Sequence, residues 1–232
     1  MILRQLFDQD TFTYTYLLAA ELSSKAIIID PVNTHTEMYI QLCRQLNLEL
    51  AYAIDTHTHA DHITAIGELR HSTSCVSMVG HESMADCASS KFSDNDVIEA
   101  GNLELVVLHT PGHTDDSYSF YLDHKGFKAI FTGDTLLIRG SGRTDFQNGN
   151  AYEQYDSLFQ KILKLPGDTL VYPGHDYKGW TISTIKEEID WNPRLQVESA
   201  DAYSELMGNL KLAKPKMMDV AVPANQSCGK IG

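Results

Sequence analysis

The stretch Thr56-His-Thr-His-Ala-Asp-His62 puts three imidazoles and a carboxylate into seven residues, directly after the apolar run LELAYAID. Alternate side chains of an extended strand share one side, so His57 and His59 project together from a strand end, with Asp61 and His62 just beyond. That geometry suits a metal ion, and burying so many polar groups without a partner would be costly. Three further islands set a ligand-type residue where an apolar strand gives out. LELVVLHTPGH ends at His113, aimed by the turn that Pro111 and Gly112 favour; FKAIFTGD ends at Asp134; TLVYPGHD ends at His175. Each of the three, taken singly, is an ordinary turn residue. Together they fit a reactive centre, because loops at strand ends on a rigid scaffold hold groups that are both fixed and accessible.

Those loops need strands to carry them. Short β-rich runs alternate with polar turns: ILRQLF, FTYTYLLA, KAIIID, ELAYAID, CVSMV, LELVVLHT, SYSFYL, FKAIFT and TLVYP. Helical spacing appears in HTEMYIQLCRQLN, through Met38, Leu42, Cys43 and Leu46, and in AYEQYDSLFQKILKL, through Tyr155, Leu158, Phe159, Ile162 and Leu163. Further helices are expected in TISTIKEEID and ESADAYSELMGNL. Strands with interspersed helices predict an α/β layered fold, since each apolar strand face needs a covering layer. The 232 residues read as a single domain, 1–232, with 191–232 a C-terminal extension packed on the body. Beyond Gly208, Pro215 and Pro223 interrupt any clear period, and an irregular tail is expected.

The formal net charge of −13 argues against nucleic acid or an anionic membrane surface as partner. No secretory leader and no membrane-length apolar run is present, so a soluble, cytoplasmic protein is expected. Cys43, Cys75, Cys87 and Cys228 lie far apart without a CxxC pair, which reads as four reduced thiols rather than a disulfide framework or a thiolate zinc site.

Taken in order, THTHADH, TPGHT, TGDTL and YPGHDY resemble the metallo-β-lactamase superfamily over roughly Met1 to Asp190. The resemblance implies its αββα sandwich, two mixed β-sheets flanked by helices, and leaves the reaction open. LLIRGSGRTDFQNG (Leu136–Gly149), NPRL (Asn192–Leu195) and the tail MGNLKLAKPKMMDVAVPANQSCG resemble the persulfide dioxygenases, now nearly end to end. That likeness implies a sulfur dioxygenase with one Fe(II) per chain, oxidising glutathione persulfide with O2 and water to sulfite and glutathione. Carried over motif by motif, the iron ligands are His57, His113 and Asp134. His59, Asp61, His62 and His175 are retained from the two-metal pattern without ligating iron; with Asp176 they orient and tune the groups around it. Two imidazoles and a carboxylate on one face of the ion leave three positions open, enough for both reactants.

Glutathione carries two carboxylates, so capture of its persulfide needs positive charge. Arg143 is the first choice, with pairing to Asp145 as its structural alternative. Tyr177, Arg194 and Asn225 are further candidates, Lys211, Lys214 and Lys216 read as a solvated patch, and Ser141 stands where some family members carry cysteine. Two other readings stay open: a glyoxalase II-type dinuclear hydrolase of acylglutathione thioesters, and a non-catalytic protein that binds persulfide or metal. The family resemblance also implies a homodimer and a place in sulfur metabolism or hydrogen sulfide detoxification.

Overall fold

The computed structural model describes residues 1–22, 24–215 and 217–230. Lys216, one of the expected surface lysines, lies outside the described residues. The chain divides into two compact units, the first formed by Met1–Phe92, Val97–Glu104 and the chain from Lys214 onward, the second by Ser93–Asp96 and Leu105–Ala213.

In the first unit β1 (Ile2–Phe7), β2 (Tyr14–Ala19), β3 (Lys25–Ile29), β4 (Glu49–Ile54), β5 (Val76–Gly80) and β6 (Ser90–Phe92) form one sheet in sequence order. The first three are antiparallel, and β3 to β6 run parallel. Parallel neighbours need crossovers, supplied by α1 (Thr36–Gln45) and α2 (Ile66–Thr73). The unbroken Ala26–Ile29 run of β3 is fully buried, as a parallel strand covered on both faces requires. Leu17, Ile28, Tyr39, Ile40, Cys43, Ala53, Ile66 and Leu69 belong to the core that these elements share. Val97–Ala100 forms the short strand β7.

The second unit orders β8 (Leu103–His109), β9 (Tyr118–His124), β10 (Phe127–Phe131), β11 (Leu170–Tyr172) and β12 (Ser183–Thr184) as β12-β11-β10-β9-β8. Only β10 and β11 pair in parallel, and α3 (Ala151–Asp156), extended by further helical turns through Lys164, lies between them in sequence. Leu158 and Ile162 of this helical stretch pack with Ile130, Val171, Ile185 of α4 (Ile185–Trp191) and Tyr203 of α5 (Ala200–Gly208). Asn150, Thr184 and Ser199 cap α3, α4 and α5 with side-chain oxygens on first-turn amides.

Three expectations are corrected. The buried face of α1 is Tyr39, Ile40 and Cys43 rather than a stripe through Met38, which stands 40% exposed. The expected irregular tail contains α6 (Met218–Gln226), with Pro223 inside it. Its inward positions are the small Ala221 and Ala224, packed on Ile63, and alanines give too little hydropathy contrast to show a period. Cys87 and Cys228 are joined in a disulfide, with Cα atoms 6.0 Å apart across 141 residues of sequence. Spacing along the chain carries no sign of such a pair; Cys43 and Cys75 are buried free thiols, as expected.

Candidate metal centre

The HTHADH loop follows β4 in the first unit, and its order is imposed by a residue the motifs did not reveal. Asp30, at the end of β3, holds a positive φ of 51° and accepts from the Thr56 amide (2.7 Å), the Thr56 hydroxyl (3.0 Å) and His59 Nε2 (3.0 Å). Because the Thr56 hydroxyl donates to Asp30, it accepts from His57 Nδ1 at 2.9 Å, which fixes the tautomer that leaves the lone pair on Nε2. His59 is fully buried. Burial opposes its charge, and the Asp30 carboxylate outweighs that, pushing its pKa up to about 9. Ligand atoms of Asp30, Asp55 and His59, and likewise of His59, Asp61 and His62, cluster closely enough to share a cation.

Braces surround this loop. Thr13 donates to Asp61 Oδ2 at 3.0 Å, and His62 Nδ1 donates to the same oxygen at 2.8 Å. Thr64 donates to Asp55. Asn225 from α6 donates to the carbonyls of His59 and His62, both at 2.8 Å, and accepts from the Thr64 amide at 2.9 Å. Its side chain is therefore built into the loop.

In the second unit the loops after β8, β10 and β11 bring His113, Asp134 and His175 together. His113 Nε2 lies 3.6 Å from Asp134 Oδ2, and His175 Nδ1 donates to Asp134 Oδ1 at 2.6 Å. The carboxylate is thus steered by one imidazole while its other oxygen faces the second. His113 Nδ1 donates to the Arg143 carbonyl at 2.8 Å, leaving Nε2 as the lone-pair donor. Gly142 donates to the Asp134 carbonyl at 2.6 Å. A Cβ at Gly142 would come within 2.3 Å of that oxygen and 2.8 Å of the His113 ring, so only glycine lets this segment lie against both residues.

Asp176 accepts from the amides of Lys178 and Trp180 and so shapes the loop after His175. Arg143 forks onto the Asp145 carboxylate through Nε and Nη2 (2.6 and 2.8 Å) and donates through Nη1 to the Ala213 carbonyl, the structural alternative foreseen for it. Tyr177 is 64% exposed, its ring parallel to that of His175. Arg194 is half-buried with Nη1 3.1 Å from Met207 Sδ, and burial pulls its pKa down. Ser141 is buried against Tyr203 and Met207. Lys214 pairs with Asp219, and Lys211 is exposed. Asp30, Thr56 and Thr13 were missed; Asp30 carries the same signal as Asp134, an aspartate ending an apolar strand.

The donor set suits a divalent cation: imidazoles with fixed tautomers and a carboxylate steered by hydrogen bonds. The metallo-beta-lactamase superfamily model matches residues 9–175. The human persulfide dioxygenase ETHE1, mitochondrial, is 47% identical over 99% of this chain and 89% of its own length. The chain belongs to the persulfide dioxygenase family. The crystal structure of ETHE1 from Myxococcus xanthus, at 49% identity, matches with a TM-score of 0.95 over 99% of this chain and 100% of that one, which bears out the expected metallo-β-lactamase fold with its two mixed sheets. A probable hydroxyacylglutathione hydrolase of Schizosaccharomyces pombe is more distant, 35% identical over 75% of this chain and 66% of its own length. The family likeness thus favours the sulfur dioxygenase over the hydrolase that the sequence also left open. No helix among the described residues is long and apolar enough to cross a membrane.

Proposed function

We propose that the protein is a sulfur dioxygenase that holds one Fe(II) through His57, His113 and Asp134 and converts glutathione persulfide, O2 and water to glutathione and sulfite. The observation that carries this reading is the near end-to-end 47% identity to a protein named persulfide dioxygenase, extending through the tail, whereas the hydrolase match spans 75% of the chain. The local chemistry supports it: Thr56 and the Arg143 carbonyl fix the two histidine tautomers, and His175 orients the carboxylate. When bound, ferrous iron supplies open coordination positions for both reactants and a route for electrons between sulfur and oxygen.

The chain's own residues bind and orient. Asp30 sets His57 through Thr56 and holds His59, while Asp61 orients His62. Arg143, Tyr177, Arg194 and Asn225 serve the thiol carrier in two ways. Tyr177 and the Arg194 guanidinium contact its peptide and carboxylates. Arg143, paired with Asp145, and Asn225 brace the loops and contribute shape from fixed positions. We also assign the protein to the cytoplasm and to a homodimer; the human relative's name places that protein in mitochondria.

The test is an oxygen-electrode trace on anaerobically iron-loaded protein after addition of glutathione persulfide, with sulfite measured alongside. Oxygen uptake matched by sulfite is expected, and His113→Ala should abolish both together with iron retention while leaving the circular dichroism unchanged. Two zinc ions per chain with thioester hydrolysis and no oxygen uptake would establish the hydrolase instead. Tight persulfide binding without turnover by iron-loaded protein would establish the binding protein.

A further inference from the structure

The Cys87–Cys228 bond lies beside the residue that closes the metal-binding loop. Asn225, three residues before Cys228, makes three hydrogen bonds to the loop, at His59, His62 and Thr64. Around it the tail is pressed onto the loop and onto α2. A Cβ at Gly229 would stand 2.1 Å from the Thr64 carbonyl, and one at Gly67 would stand 2.3 Å from the Cys228 carbonyl. Cys228 is buried, whereas Cys87 is only half-buried and faces attack from solvent more readily. The covalent bond therefore anchors a short tail segment whose last helix supplies the loop's brace. In reducing compartments a lone disulfide is more often a redox sensor than a permanent staple.

We propose that Cys87–Cys228 is a redox-modification site, opened by small thiols, whose state sets how firmly Asn225 holds the His59–Thr64 loop. The step balances as thiol–disulfide exchange. A small thiolate attacks Cys87 Sγ, the Cys87–Cys228 bond breaks, and the Cys228 thiolate leaves and takes up a proton. A second thiol then releases Cys87 as a thiol and departs with the first as their disulfide. Two small thiols are oxidised and one protein disulfide is reduced. With the bond open, α6 and the residues after it are held only by non-covalent contacts, among them the packing on Ile63, the Asn225 hydrogen bonds and the close approach of Cys228 and Gly229 to Gly67 and Thr64. The loop amides then exchange through more frequent local opening. This bears on catalysis only through the reading of the loop as metal-binding.

The experiment uses the full-length, metal-free protein purified in air. Peptide mapping without reductant is expected to recover the Cys87 and Cys228 peptides linked, and glutathione treatment followed by alkylation is expected to label both. Hydrogen–deuterium exchange at the Thr64 amide should then rise about tenfold, while the Gly142 amide, bonded to Asp134, stays unchanged. Cys87→Ser should reproduce the glutathione-treated rates, and if that variant does not fold, the treated wild type decides. Alkylation of Cys87 and Cys228 themselves in the untreated native protein, or unchanged Thr64 exchange after opening, would overturn the proposal. Because no iron or oxygen enters this measurement, a failed oxygen-uptake assay leaves its outcome intact, and the reverse holds.

Discussion

Asp30 and Gly142 govern the proposed ligands without ligating. Asp30 reaches His57 through the Thr56 hydroxyl, so Asp30→Asn reverses the polarity of one end of that relay. Iron affinity should fall by about 10–100-fold, the range usual for loss of an outer partner, as read by competition with a coloured chelator, with circular dichroism unchanged. Unaltered affinity would remove Asp30 from the account. Gly142→Ala places a methyl group where the Asp134 carbonyl and the His113 ring already lie. Something must shift, at about 1–3 kcal/mol for a forced fit of this kind, and the shift moves ligands. The expected result is a lower urea midpoint together with weaker iron binding; a fall in stability with intact iron affinity would show the strain absorbed elsewhere.

Among the elements, the turn joining β1 to β2 matters beyond its length. Asp8 accepts from the Thr11 amide and hydroxyl and from His35 Nε2, and Thr11 meets Thr13, which holds Asp61. Burial works against the charge on Asp8, but the Thr11 hydrogen bonds and the His35 imidazole outweigh it and hold the carboxyl below its ordinary 3.8. A depressed carboxylate pKa contributes stability that is fully present above the ordinary value and is lost as pH falls through the depressed one. Asp8→Asn should therefore be less stable than wild type at neutral pH, and the two should converge in acid; parallel stability–pH curves would contradict this. The strands of the central runs and the helices of Thr36–Gln45 and Ala151–Asp156 were legible because their apolar spacing is strong. Ser90–Phe92, Val97–Ala100 and α6 were not, the strands being only three and four residues long and the helix alanine-lined. The motif residues were legible by type; their braces Thr13 and Asn225 lie far along the chain from what they hold, and only folding brings them there.

For the whole molecule, a ligand that binds the folded state alone adds stability by mass action. Iron at a hundredfold excess over its dissociation constant adds about 2.7 kcal/mol, which for a chain of this size raises the melting temperature by roughly 5–10 °C. Calorimetry with and without chelator checks it, and His113→Ala should abolish the difference; a shift that survives in this variant would place the cation elsewhere. Asn225 sets a further constraint, on timing. It stands 161 residues downstream of Thr64, so at bacterial-to-eukaryotic translation speeds the loop emerges roughly 8 to 30 s before its brace is made. A nascent chain stalled short of α6 would expose the His59–Thr64 segment to protease, and secure metallation must wait until α6 has been made.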